Sequence, residues 1–335
     1  MKIAVDVMGG DNAPRAIVDG VILAAREEDN NDVHYVLVGP EDVISRHIEE
    51  SSDFPNDRVE VVHASEVIGM DERPVTAIRK KKDSSISRML DLAKRGEVDA
   101  VVSAGNTGAV VVAATLKLRT LQGVDRPAIT AIMPRPNGYW VLIDAGANAE
   151  CKPKNLFQFA VMGEVFVREI MGIRKPKIGL MSIGEETEKG NELTKETQKL
   201  FEGIDVNFIG NIEGDDAYTD KVDVIVCDGF VGNVVLKVSE SVYSIIKQVL
   251  REEVKKKLWA PVIAPFMKNI FHGVKKRLDH EEYGGAPLLG VDGTCIIAHG
   301  KSSPRAIKNA LRVAKKSFKC GINSEIIEHI KKLKL

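Results

Sequence analysis

Six short segments combine glycine with small polar side chains, a composition suited to holding an anion on backbone amides. They are Met8-Gly9-Gly10-Asp11-Asn12, Ser103-Ala104-Gly105-Asn106-Thr107-Gly108, Asp144-Ala145-Gly146-Ala147-Asn148, Ser182-Ile183-Gly184-Glu185, Asp228-Gly229-Phe230-Val231-Gly232-Asn233 and His299-Gly300-Lys301-Ser302-Ser303. Glycine lets amides approach a ligand closely. Asn, Ser and Thr add neutral hydrogen bonds without bulk. The 103–108 segment is the sharpest. It follows an apolar run and precedes the helical pattern Ala109–Thr120, so its amides, with Ser103, Asn106, Thr107 and Gly108, read as a phosphate cradle at a helix N-terminus. An ordinary strand-to-helix turn capped by Asn or Thr accounts for the same residues.

A second set could act on a carbonyl. Lys189 stands in a polar loop, residues 184–192, where it could neutralise a phosphate or a developing oxyanion, with Asn191 beside it. A solvated charged loop is the commoner source of such a run, and its carboxylates lack a metal-coordination pattern. Asn233 could polarise a carbonyl and Asp228 orient a donor; equally, they could be a turn aspartate and a helix cap. His299 ends an apolar run beside glycine and is a candidate proton donor. Gly9, Gly10, Asp11 and Asn148 complete the anion-binding candidates. No GxGxxG follows the first apolar run, and neither GxxxxGK[ST] nor GxSxG occurs, so dinucleotide, P-loop and serine-hydrolase chemistry are unsupported. Cys151, Cys227, Cys295 and Cys320 are scattered, without CxxC or a histidine at ligand spacing. They read as free thiols of a reducing cytoplasm, with no metal site.

The elements that must position these residues follow from periodicity. Short β-branched runs, several apolar throughout, recur from Lys2–Met8 to Thr294–His299, with helical patterns between many of them, among them Pro74–Arg95. Val242, Ile245, Ile246, Val249, Leu250 and Val254 form a helical stripe in Ser239–Lys257, and Tyr283-Gly284-Gly285-Ala286-Pro287 reads as a close-approach loop. Runs without polar alternation predict strands covered on both faces, hence an α/β/α, mostly parallel sheet. The pair Ala128–Met133 and Tyr139–Ile143 brackets Pro134-Arg135-Pro136-Asn137-Gly138 and predicts one local antiparallel pair. In such sheets ligands bind beyond the carboxyl ends of the strands, so the glycine turns are expected to converge there. With no repeat or linker, the 335 residues read as a single domain, and residues 239–278 as a projecting helical element. The apolar fraction of 44%, charged fraction of 28% and net charge of −1 fit an ordered globular protein without a global basic surface for nucleic acid. Asp6 interrupts the first apolar run, so no signal peptide is read. No apolar stretch approaches the roughly 20 residues that span a bilayer.

Several motifs in order resemble the PlsX family of bacterial acyl-carrier-protein:phosphate acyltransferases of phospholipid synthesis: Asp6-Val7-Met8-Gly9-Gly10-Asp11, SAGNTGA from Ser103, Asp144 to Asn148, the GEE…KGNE loop to Glu192, Asn211-Ile212-Glu213-Gly214, CDGFVGN from Cys227, YGGAPLLG from Tyr283 and AHG to Gly300. The resemblance implies a Rossmann-like α/β/α fold similar to the isopropylmalate dehydrogenase and phosphotransacetylase group, and a homodimer. It implies no metal or nucleotide cofactor, acyl carrier protein and inorganic phosphate as substrates, and transient hand-off to a membrane glycerol-phosphate acyltransferase.

On the residues themselves, phosphate oxygen would attack a thioester carbonyl. Ser103, Asn106 and Thr107 would hold phosphate, Lys189 and Asn233 would steady the oxyanion, and His299 would protonate the leaving thiol. In the 239–278 segment, Trp259, Val262, Ile263, Phe266 and Met267 have basic flanks, a pattern suited to peripheral contact with the inner membrane face. A dimer interface or acyl-channel wall fits as well. Arg79-Lys80-Lys81-Lys82 could dock an acidic carrier or be a solvated helix face. Alternatives are a coenzyme A-dependent phosphate acetyl- or butyryltransferase, a nicotinamide-dependent dehydrogenase lacking a visible metal-binding aspartate cluster, and a non-catalytic membrane-recruited regulator.

Overall fold

The computed structural model describes residues 1–27, 29, 31–51, 54–55, 57–256 and 284–333. The segment holding Trp259, Val262, Ile263, Phe266 and Met267 lies outside the described residues. The strands are β1 (Lys2–Asp6), β2 (His34–Gly39), β3 (Val59–His63), β4 (Ala100–Ser103), β5 (Ala128–Arg135), β6 (Gly138–Ile143), β7 (Ile178–Met181), β8 (Phe208–Ile212), β9 (Val224–Val226), β10 (Ala286–Leu289) and β11 (Thr294–Ile297). They form one 11-stranded sheet in the order β3-β2-β1-β4-β11-β10-β5-β6-β9-β7-β8.

The apolar runs are buried on both faces, as their composition requires. Along β1, Ala4 faces one layer while Ile3 and Val5 face the other; along β6, Trp140 and Leu142 alternate with Val141 and Ile143. One layer holds α3 (Pro74–Lys80), α4 (Ser85–Lys94), α5 (Thr107–Lys117) and the inner side of α8 (Gly229–Lys255). The opposite layer has α1 (Arg15–Ala25) and α9 (Pro304–Lys319) over one half of the sheet. Over the other half lie α6 (Pro153–Phe166) and α10 (Ile322–Lys332). Further helices are α2 (Glu41–Glu49) and α7 (Glu192–Leu200).

The sequence reading needs four corrections. The glycine turns do not all leave one edge of the sheet. β1, β4 and β11 are parallel, but antiparallel β10 and the β5–β6 hairpin reverse the chain, so β6, β9, β7 and β8 run the other way. The predicted hairpin is there, and it is what turns the second half around. The loop read as far as Pro287 gives way at Ala286 to β10, with Leu288 and Leu289 buried between neighbours. The pattern read as one helix from Pro74 to Arg95 is α3 and α4, broken where Lys81 turns inward and Ser84 caps Ser87 N at 3.3 Å. The helix read from Ser239 begins at Gly229, because Asp228 caps it. Its outer side carries Phe230, Val234, Val238, Val242 and Ile245 exposed to solvent. None of the described helices is long and apolar enough to cross a membrane.

Candidate active site

The carboxyl ends of β1, β4 and β11 interlock. Asp6 ends β1 fully buried, and burial raises its carboxyl pKa above the usual value even though Ser103, Ser85 and the Met8 amide donate to it. Ser103 Oγ donates to Asp6 Oδ2 at 2.6 Å and accepts the Gly105 amide at 3.0 Å. Only glycines permit this approach: a Cβ on Gly9 would sit 2.5 Å from Gly105 N, and one on Gly10 would sit 2.7 Å from Gly300 O at φ +97°. The Asp11 amide donates to Gly300 O at 2.7 Å. Asn106 caps α5 through Ala109 N at 3.0 Å, while its amide nitrogen donates to the carbonyls of Gly69, Met70 and Glu72. Ser103 and Asn106 are thus spent on building the turn. What remains for a ligand are the first-turn amides of Thr107 and Gly108, which have no intrahelical acceptor. The Thr107 hydroxyl and Lys301 ammonium also have no side-chain partner among the described residues.

The carboxyl ends of β6 and β9 are built in the same manner at the opposite end of the sheet. Asp144 is buried, which raises its pKa against the pull of its donors: the amides of Ile129, Gly146, Ala147 and Asn148 and the Asn148 side chain. Asn148 also donates to Pro127 O at 2.7 Å. Asp228 accepts Val231 N at 2.9 Å as the N-cap of α8, and Asn191 accepts Thr194 N at 2.9 Å as the N-cap of α7. The capping readings therefore describe Asn106, Asp228 and Asn191 as they stand. Asn233 is exposed, with its side chain against the space a Cβ on Gly146 would fill.

One helix links the two ends. Asn233 and Lys237 are four residues apart on α8 and therefore share a face, about 6 Å apart along the axis. Lys237 Nζ lies 3.4 Å from His299 Nε2 and 2.9 Å from Glu240. His299 Nδ1 accepts the Lys301 amide at 3.0 Å. A neutral ring then carries its proton on Nε2, so two donors stand side by side, an arrangement that an oxyanion or thiolate set against both would satisfy. His299 follows β11, whose neighbour β4 ends in the Ser103–Gly108 turn; the Ala298 amide donates to Ser103 O at 2.8 Å. The structure thus brings Asn233, His299 and the 103–108 turn to one helix and two adjacent strands. No described contact ties Lys189 to them. It lies in the loop between β7 and α7, whose shape is held by Asn211 donating to Glu186 O and Lys189 O, and by a Glu185–Lys221 ion pair at 2.7 Å. Its ammonium has no partner among the described residues.

Sequence reasoning missed Lys237. The signal was its spacing from Asn233, concealed when the helix was started at Ser239. The thiols nearest these turns are poor nucleophiles. Burial, with help from the charges of Asp144 and Asp228, raises Cys151 to about 12, and burial raises Cys227 well above a thiol's usual value.

A family model described as a fatty acid synthesis protein matches residues 1–325. Proteins named "Phosphate acyltransferase" are 47% identical over 330 residues in Clostridium novyi (strain NT) and 48% identical over 330 residues in Heliobacterium modesticaldum (strain ATCC 51547 / Ice1); each alignment covers 98% of both chains. Among solved structures, a branched-chain phosphotransacylase from Enterococcus faecalis V583 superposes with TM-score 0.61 at 14% identity, covering 95% of this chain and 99% of that one. A phosphotransacetylase from Streptococcus pyogenes gives TM-score 0.56 at 17% identity, covering 99% and 94%. At those identities the likeness speaks for the fold, a Rossmann-like α/β/α architecture. The match over almost the whole length, together with relatives of nearly half-identical sequence, makes this chain a member of the PlsX family of phosphate acyltransferase enzymes.

Proposed function

We propose that the enzyme transfers an acyl group from an acyl-carrier-protein thioester to inorganic phosphate, yielding an acyl phosphate for phospholipid synthesis. The observation that carries this reading is the row formed by Asn233, Lys237 and His299, running along α8 to the turn that starts α5. Phosphate sits on the amides of Thr107 and Gly108, the Thr107 hydroxyl and Lys301, in a cradle that Asp6, Ser103 and Asn106 hold rigid. Its oxygen attacks the thioester carbonyl, the C–O bond forms, and the carbon–sulfur bond breaks. The proton of hydrogen phosphate ends on the released thiol, relayed by His299 Nε2. Asn233 and Lys237 steady the oxyanion, and Lys189, from the loop between β7 and α7, adds charge to it. Phosphate dianion and a thiolate leaving group need no covalent enzyme intermediate, and the raised thiol pKa values agree with that. Orientation supplies about 7–11 kcal/mol of barrier lowering and one placed donor about 3–4 kcal/mol.

The test is direct. Purified protein given acyl carrier thioester and phosphate should release acyl phosphate, and Lys237→Gln and Lys189→Ala should each lower turnover by about 10²-fold, the effect of one oxyanion donor. Near-normal turnover in either variant removes that lysine from the mechanism. Preference for acetyl-coenzyme A over the carrier thioester would instead identify a short-chain transferase.

We further propose a homodimer acting in the cytoplasm at the inner membrane face, handing its product to a membrane glycerol-phosphate acyltransferase. The exposed apolar side of α8 supports pairing, and the Trp259–Met267 segment supports membrane contact. Trp259→Ser/Phe266→Ser should abolish cosedimentation with anionic vesicles; unchanged binding would exclude those side chains.

A further inference from the structure

Residues 73–82 contain five cations and no acid, in a chain of net charge −1. The structure divides the five by task. Lys81 turns inward, donating to Val67 O and Glu72 Oε1 at 2.6 Å each, while Glu72 accepts the Gly69 amide at 2.6 Å. That network holds the 69–72 loop against Asn106. Arg73, Arg79, Lys80 and Lys82 are exposed and have no acidic or hydrogen-bonding partner among the described residues. Beside them, Met70 and Val75 are 44% and 48% exposed.

This patch borders the phosphate cradle directly. A Cβ on Gly108 would sit 2.6 Å from Pro74 Cγ, the first residue of α3, and a Cβ on Gly300 would sit 2.7 Å from Met70 Cε. Asn106 donates to three carbonyls of the loop that leads into α3.

From this placement we infer that the outer surface of α3 and the 69–73 loop is where an acidic carrier protein docks to present its thioester. The inference rests on the acyl transfer proposed above. Four unpaired cations around two modest apolar side chains complement an acidic surface with a small apolar centre, the pattern that steers association and fixes orientation. A lipid surface fits less well, since the patch has no aromatic anchor and little to insert. The occupant also has to reach the Thr107 turn, and the patch abuts it.

Arg79→Glu/Lys80→Glu/Lys82→Glu reverses three of the exposed charges without touching the cradle. It should raise KM for acyl carrier protein by about 10-fold or more and remove most of the salt dependence of that KM. The KM for phosphate, and turnover with a carrier-free acyl-pantetheine thioester, should stay as in the wild type. The milder Arg79→Gln/Lys80→Gln/Lys82→Gln variant should fall between, and matching melting temperatures exclude misfolding. Carrier binding is measured separately by fluorescence anisotropy with carrier lacking an acyl group. Salt-dependent binding without acyl phosphate formation by the wild type would leave docking standing and overturn the proposed reaction. Acyl phosphate formation with carrier KM and affinity unchanged by charge reversal would overturn docking. Loss of anionic-vesicle binding with carrier KM unchanged would overturn it too, in favour of a lipid contact.

Discussion

At the residue scale, the two aspartates that close β1 and β6 explain why so many polar side chains in the glycine turns are unavailable to a ligand. Asp6 consumes the Ser103 hydroxyl, and Asp144 consumes the amides of Gly146, Ala147 and Asn148. Residue types alone marked Ser103, Asn106, Asn148, Asp228 and Asn191 as candidates, because an anion ligand and a turn-builder use the same chemistry. Asp6 has a measurable signature. Its folded pKa lies above the ordinary value of an aspartate because burial disfavours the charged form. Its stabilising contribution is therefore complete below that value and is lost as pH rises through the folded pKa. Asp6→Asn cannot ionise, so its melting temperature relative to the wild type should rise between about pH 4 and about pH 7. Differential scanning calorimetry at both values checks this. A constant difference would mean Asp6 is not buried as described.

At the scale of elements, α8 is where the reading of the sequence was weakest and where the site depends on it most. The stripe Val242, Ile245, Ile246, Val249 announced a helix, but Asp228-Gly229-Phe230-Val231-Gly232-Asn233 read as turn because of its glycines. In the structure those glycines allow close packing. A Cβ on Gly232 would sit 1.8 Å from Asp144 O, so the first turn of α8 lies directly on the turn after β6. Gly232→Ala must push them apart. We expect a loss of about 1–3 kcal/mol, as for overpacking, with a fall in turnover as Asn233 shifts from its place beside Gly146. Urea denaturation and steady-state kinetics read the two effects; a stable, fully active variant would refute the close contact. The β5–β6 hairpin was legible because Pro134–Gly138 has unmistakable turn chemistry. β10 was not, because four residues between glycines carry too little periodicity.

At the scale of the molecule, the layered architecture was legible from runs apolar throughout, whereas the reversal of strand direction was not. One antiparallel pair seemed a local detail in the sequence, yet it decides which turns share an edge. The C-terminal helix was equally silent: charged and short, α10 still buries Ile322, Ile326 and Ile330 against the layer containing α6. Ile326, fully buried, is the sharpest probe. Ile326→Ala should cost about 2–5 kcal/mol of stability while leaving KM for phosphate unchanged, measured by chemical unfolding and kinetics. A cost near zero would mean that α10 does not belong to the core.

The helical link between Asn233 and Lys237 carries a consequence for how this catalyst can vary. Their separation is an angular phase as much as a length. One inserted residue between them would swing everything beyond it by about 100° around the axis, turning the ammonium away from the imidazole while conserving every side chain. Drift in this part of the chain is therefore confined to substitutions that keep the count.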